Sequence, residues 1–151
     1  MIATVQRHWQ AESLLRHLYQ PEQHDPHGLP HLVGGSQEPA SLEPERSSTG
    51  SRNIARLAGW LHALVPPAGQ HAEQPIWHCT VRAHPQDRPL SDADWAQVAT
   101  DIMDRTQLAP RRDSRAVRWI AVRHGRDHVH LVASLARQDK ARAETAGSAA
   151  R

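Results

Sequence analysis

The chain holds a single cysteine, Cys79, and this excludes both an internal disulfide and a zinc site built on cysteine. Any metal ion must be held by histidine and carboxylate groups. No run approaches the roughly 20 apolar residues that a membrane span requires, although 38% of the residues are hydrophobic. The opening stretch, Met1-Ile2-Ala3-Thr4-Val5-Gln6-Arg7, shows no long apolar segment followed by small residues, so no secretory signal is visible and the cytoplasm is the expected compartment. Lys140 is the sole lysine, which leaves the positive charge to arginine. Tyr19 is the sole tyrosine, so chemistry that needs a phenol has one candidate.

A length of 151 residues fits one domain with one modest core. The formal net charge is only +2, yet the pI is near 9.3. Arginine's rigid fork suits phosphate and base edges better than a lysine point charge does, so the arginine bias favours nucleic acid, although a genome's base composition produces the same bias. Twelve histidines are the stronger anomaly.

Apolar periodicity gives the coarse organisation. Ile2 to Arg7 alternate as a short strand, and Ala11, Leu14, Leu15, Leu18 and Tyr19 recur at helical spacing until Gln20-Pro21 stops the helix. Residues 20–50 carry Pro21, Pro26, Pro30, Gly34, Gly35, Pro39 and Pro44 among others, with little periodicity, which predicts a long loop or a partly disordered segment. A helix is predicted from Asn53 to Val65, a strand over 75–83, and a helix from Ser91, whose side chain caps it, to about Thr106. Val117–Arg123 and His128–Leu135 form a hairpin around His124-Gly125-Arg126-Asp127. This order implies an α+β fold with a mainly antiparallel sheet covered by helices, occupying residues 1–139, with 140–151 a polar tail.

The sharpest chemical signal is His124-Gly125-Arg126-Asp127-His128-Val129-His130. Strand alternation places His128 and His130 on one face, about 7 Å apart along the chain, a separation that suits two imidazoles converging on one cation. His124, at the end of the partner arm, can close the site as a third ligand and leave positions open for substrate. Asp127 is a candidate for orienting an imidazole from behind, although a strand beginning at His128 would turn it away. A polar hairpin whose histidines merely face water is the plain alternative, and the third histidine weighs against it. His24, His27 and His31 form a second cluster with possible metal spacing, in a proline-rich setting that favours a solvated loop. His78 lies on a strand expected to be internal and reads as structural, bordering the site at most.

His128-Val129-His130, a histidine, a hydrophobic residue and a histidine on a strand, resembles the HUH signature of relaxases and rolling-circle initiators. With Leu131 to Leu135 after it and His124 before it, the segment is similar to the third motif of plasmid mobilisation relaxases. Leu14 to Pro21 resembles the amino-terminal relaxase helix that ends in the nucleophilic tyrosine. Ile76 to Arg82 and Leu90 to Trp95 look like the central strand and following helix of actinobacterial-type relaxases. The resemblance covers residues 1–139.

It implies an HUH relaxase fold and a metal-dependent nuclease that nicks and rejoins single-stranded DNA at a plasmid origin of transfer through a 5′-phosphotyrosyl intermediate. Accessory mobilisation proteins are the implied further partners. In that scheme Tyr19 is the nucleophile, and His124, His128 and His130 hold a divalent ion, manganese or magnesium on the family's pattern, although imidazole ligands also suit other transition metals. Arg82, Arg123 and Arg126 are candidate phosphate contacts, with ordinary surface arginines as the alternative. Two rival readings are a hydrolase that uses activated water in place of Tyr19 and a DNA-binding accessory domain without cleavage. Among the aromatics available for base stacking, Trp9, Trp60, Trp77, Trp95 and Trp119, most read as core.

Overall fold

The computed structural model describes residues 1–20, 29–47, 52–66 and 73–139. Strand β1 (Ile2–His8) leads into helix α1 (Ala11–Leu18), and β2 (His31–Gly35) is followed by the short α2 (Pro39–Leu42) and by α3 (Ile54–His62). Then come β3 (Ile76–Arg82), α4 (Asp92–Arg105), β4 (Val117–Arg123) and β5 (His128–Arg137). All pairings are antiparallel and the strands lie in the order β1-β3-β5-β4-β2, so the fold is α+β as the element order predicts.

Alternation divides the central strands between two cores. On one face Ile76, Ile120, Val122 and Val132 pack against Leu14, Leu15 and Leu18 of α1 and Ile54, Leu57 and Leu61 of α3. On the other face Cys79, Val81, Ala121, Val129 and Leu131 meet Trp95, Ala99 and Met103 of α4. Full burial of a large apolar side chain contributes roughly 1.5–3 kcal/mol, so these two layers carry most of the gain on folding. Ser91 caps α4 by accepting from Asp94 N–H, while the Asp94 carboxylate accepts from Ser91 N–H. This reciprocal pair satisfies two of the helix's orphan donors.

The stretch read as a loop over residues 20–50 is not loop throughout, because β2 and α2 lie within it. β2 is five residues long and ends in Gly34-Gly35, too short and too glycine-rich to show a period. Pairing with β4, the neighbour of the central β5, makes it a strand. Its ladder shifts register between Leu32 and Gly34. A Cβ on Gly35 would lie 2.8 Å from the Trp119 carbonyl oxygen, so the close approach of β2 to β4 requires glycine there. α3 is also shorter than predicted, ending at His62. Trp77, Trp95 and Trp119 are core as expected and Trp60 is half-buried, but Trp9 is exposed. Residues 140–151, read as a tail, lie outside the described residues.

Candidate metal centre

β5 begins at His128, so His128, His130 and Val132 point to the α1 and α3 side of the sheet while Val129 and Leu131 point to α4. His124 leaves the end of β4 and returns over the same face. The three rings form a near-equilateral triangle, with centroids 5.3 Å apart for His128 and His130, 5.4 Å for His124 and His128, and 5.5 Å for His124 and His130. One nitrogen from each lies within 4.8 Å of the others, close enough for all three to reach a single cation.

Hydrogen bonds to oxygen acceptors fix which nitrogens of His124 and His128 face inward. The Asp127 carboxylate accepts from His128 Nδ1–H at 2.9 Å, and the Gln20 carbonyl accepts from His124 Nε2–H at 2.8 Å. His130 Nδ1 is 2.8 Å from His78 Nε2 and 3.1 Å from Thr80 Oγ1, and His78 Nδ1 is 3.2 Å from His8 Nε2. The set of tautomers that satisfies this chain and leaves His130 Nε2 free for a cation has His130 Nδ1–H donating to His78 and His78 Nδ1–H donating to His8. The ligand nitrogens are then Nε2 of His128, Nε2 of His130 and Nδ1 of His124. An outer layer of carboxylate, carbonyl and imidazole that orients ligand imidazoles is the arrangement a metal site needs, so the residues present fit a divalent cation.

Electrostatics agree with ligand roles. Burial, with the neighbouring His78, His128 and His124 adding to it, lowers His130 to about 2. Burial also lowers His78 to about 4, with His8 and His17 contributing. Both rings therefore stay neutral at physiological pH, the state in which an imidazole binds metal. The hydrogen bond from His128 holds Asp127 below the usual carboxylate range against the opposing effect of its partial burial.

Tyr19 is the C-cap of α1 and is 8% exposed, in the core that includes Val122 and Val132. It therefore lies on the same side of the sheet as the histidine triangle, and its neighbour Gln20 supplies the carbonyl on His124. The hydroxyl donates to Glu43 Oε2 at 2.8 Å, and the Arg52 guanidinium sits 5.6 Å from the ring centre. Glu43 also accepts from Leu32 N–H at 3.2 Å and pairs with Arg52 at 3.9 Å. Burial first, then the charge of Glu43 and the hydrogen bond to it, push the phenol well above its ordinary pKa, against a smaller opposing effect of Arg52. The phenol is held protonated.

The arginines divide. Arg82 lies beside the site, 3.5 Å from His128 Nδ1 and 3.8 Å from Asp127, with its side chain 55% exposed. Arg123 is engaged within the chain, pairing with Asp92 at 2.7 Å and donating to the carbonyls of Gly125 and Arg126, so it braces the turn that carries His124. Arg126 is exposed in that turn. Of the second histidine cluster, His24 and His27 lie outside the described residues. His31 stands away from the triangle, donating to the Leu29 carbonyl and to Asp92 at 2.8 Å each.

Sequence reasoning missed Glu43, Arg52, His8 and Thr80. Only Thr80 carried a usable signal, since it alternates onto the same face as His78 and Arg82. Comparison of the chain with models of protein families, with curated proteins and with solved structures finds no match.

Proposed function

We propose that the chain is a metal-dependent nuclease of the HUH relaxase type, which breaks and rejoins single-stranded DNA with Tyr19 as nucleophile. The observation that carries the reading is the triangle of His124, His128 and His130, tied through the Gln20 carbonyl to the end of the helix that presents Tyr19. Manganese or magnesium held by the three imidazoles would neutralise the charge of a bound phosphate and favour attack at phosphorus.

The chain's own groups supply the rest. Arg82, exposed beside His128, is placed to steady a phosphate oxygen, and Arg126 in the turn is a further contact for the DNA backbone. The Tyr19 oxygen forms a bond to phosphorus as the bond to the 3′ oxygen breaks. Once the phenol has left Glu43 its proton passes to solvent as the oxygen attacks, and the departing 3′ oxygen takes up a proton from solvent. The product is a 5′-phosphotyrosyl chain and a free 3′ hydroxyl, and return of that hydroxyl reverses the step. The buried phenol must leave the Glu43 contact to reach a phosphate, so the described arrangement corresponds to a resting enzyme.

That same burial favours a second reading, in which water replaces Tyr19 and the site is a phosphodiester hydrolase. Labelled single-stranded DNA of mixed sequence, incubated with Mn2+ or Mg2+ and resolved under denaturing conditions, separates the two. A covalent protein-DNA adduct that disappears in Tyr19→Phe supports the relaxase. Cleavage without adduct that survives Tyr19→Phe supports the hydrolase, and DNA that is bound but intact supports a non-cleaving accessory domain.

A further inference from the structure

Soluble domains scatter single apolar residues over their surface, and a local concentration of them marks an interaction site. Here the large hydrophobic side chains exposed among the described residues are Met1 at 55%, Ile2 at 71%, Val5 at 55% and Trp9 at 53%. All four belong to β1 or to the residues directly flanking it. Among the described residues β1 is an edge strand seven residues long, paired with β3 alone. A long, apolar edge with open backbone groups is the feature that natural sheets blunt with lysine, proline, bulges or a covering element. β1 has no lysine or proline, and its pairing with β3 runs from Ile2 to His8 without a register shift.

The opposite edge shows the contrast. β2 has five residues, a register shift and α2 packed beside it. The two edges of one sheet are thus treated differently, and only the first is left sticky.

We infer that β1 is a dimerisation edge that pairs antiparallel with β1 of a second copy of this chain, joining two five-stranded sheets into one of ten strands. The charges favour a second copy over a different partner. The one full charge on the strand, Arg7, is consumed within the chain, donating to the Gln74 carbonyl at 2.9 Å and pairing with Glu73 at 3.5 Å. The edge therefore offers no net charge to attract a charged partner and none to repel its own image. In a pairing centred on Val5, Val5 meets Val5 of the other copy, Thr4 meets Gln6, Ala3 meets Arg7 and Ile2 meets His8. No like charges face each other, and the two exposed valines cover one another at the two-fold axis. A two-fold axis of this kind stands perpendicular to the sheet, so both histidine triangles open on the same side. Five strand spacings separate the two β5 strands, which therefore run roughly 25 Å apart. This inference does not depend on the nuclease reading.

Sedimentation equilibrium of the full chain tests it. The wild-type protein is expected at twice the 16.9 kDa of one chain, with dissociation on dilution. Val5→Lys and Val5→Glu each place like charges opposite one another at the axis, and each should raise the dissociation constant at least tenfold while circular dichroism and metal binding stay as in the wild type. An equimolar mixture of the two variants should recover the dimer, because lysine then faces glutamate. A wild-type mass of one chain at hundreds of micromolar overturns the inference, as does a dimer that both variants leave intact or a mixture that fails to recover. A monomeric result holds equally whether another part of the chain or a different protein covers the edge.

Discussion

Asp127 illustrates how one side chain sets the chemistry of another. Its carboxylate takes the Nδ1 proton of His128, which turns Nε2 of that ring toward the other two imidazoles. Loss of such an outer partner typically weakens metal affinity by 10–100-fold. Asp127→Asn is therefore expected to bind Mn2+ or Co2+ about 10–100-fold more weakly in competition with a chelating dye, with the fold unchanged because residue 127 is exposed. An affinity equal to that of the wild type would remove Asp127 from the site. The triad itself was legible in the sequence, since residue spacing on a hairpin is local information. Glu43 was not, because its contact with Tyr19 spans 24 positions and passes through a strand that has no period of its own. His78 was read as structural, and what escaped was its place in a chain of rings, which depends on the register that sets it beside Gln6 on one strand and Val132 on the other.

At the level of elements, α1, β3, α4, β4 and β5 were readable because each keeps its period over seven residues or more, and α4 adds a capping box. β2 and α2 follow from tertiary contact, and two glycines, one in β2 and one in α3, differ in what they do. Gly35 is required by the nearness of the Trp119 carbonyl, so Gly35→Ala must push the two strands apart, at a cost of roughly 1–3 kcal/mol typical of overpacking. Gly59, in the interior of α3, has nothing within 4 Å of the position a Cβ would take. Gly59→Ala should stabilise by about 0.5–1 kcal/mol through helix propensity and the loss of freedom in the unfolded chain. Urea unfolding monitored by circular dichroism reads both, and equal effects of the same sign would contradict the packing described for β2.

For the molecule as a whole, burying neutral imidazoles ties folding to acidity. His78 is lowered to about 4 and His130 to about 2, whereas both rings in the unfolded chain take up a proton below about 6.5. Between those values the unfolded state binds more protons, so stability must fall as the pH falls. Each ring contributes a slope approaching about 1.4 kcal/mol per pH unit from pH 6.5 downward, and His78 ceases to contribute near pH 4. Asp92 and Asp113, lowered chiefly by their hydrogen bonds to Arg123 and Arg137 against the effect of desolvation, act in the same direction at lower pH. Urea midpoints of metal-free protein should drop steadily from pH 7.5 to pH 5, and a flat profile over that range would mean that the rings are not held neutral.

The bond from the Gln20 carbonyl to His124 has a mechanical consequence. A single imidazole is gripped at one nitrogen by main chain adjoining Tyr19 while its other nitrogen belongs to the cluster. Displacement of the backbone at residue 20, such as would accompany withdrawal of the phenol, must swivel that ring or snap its tether. The phenol and the third imidazole are thereby geared together, and neither can shift its post unnoticed by the other.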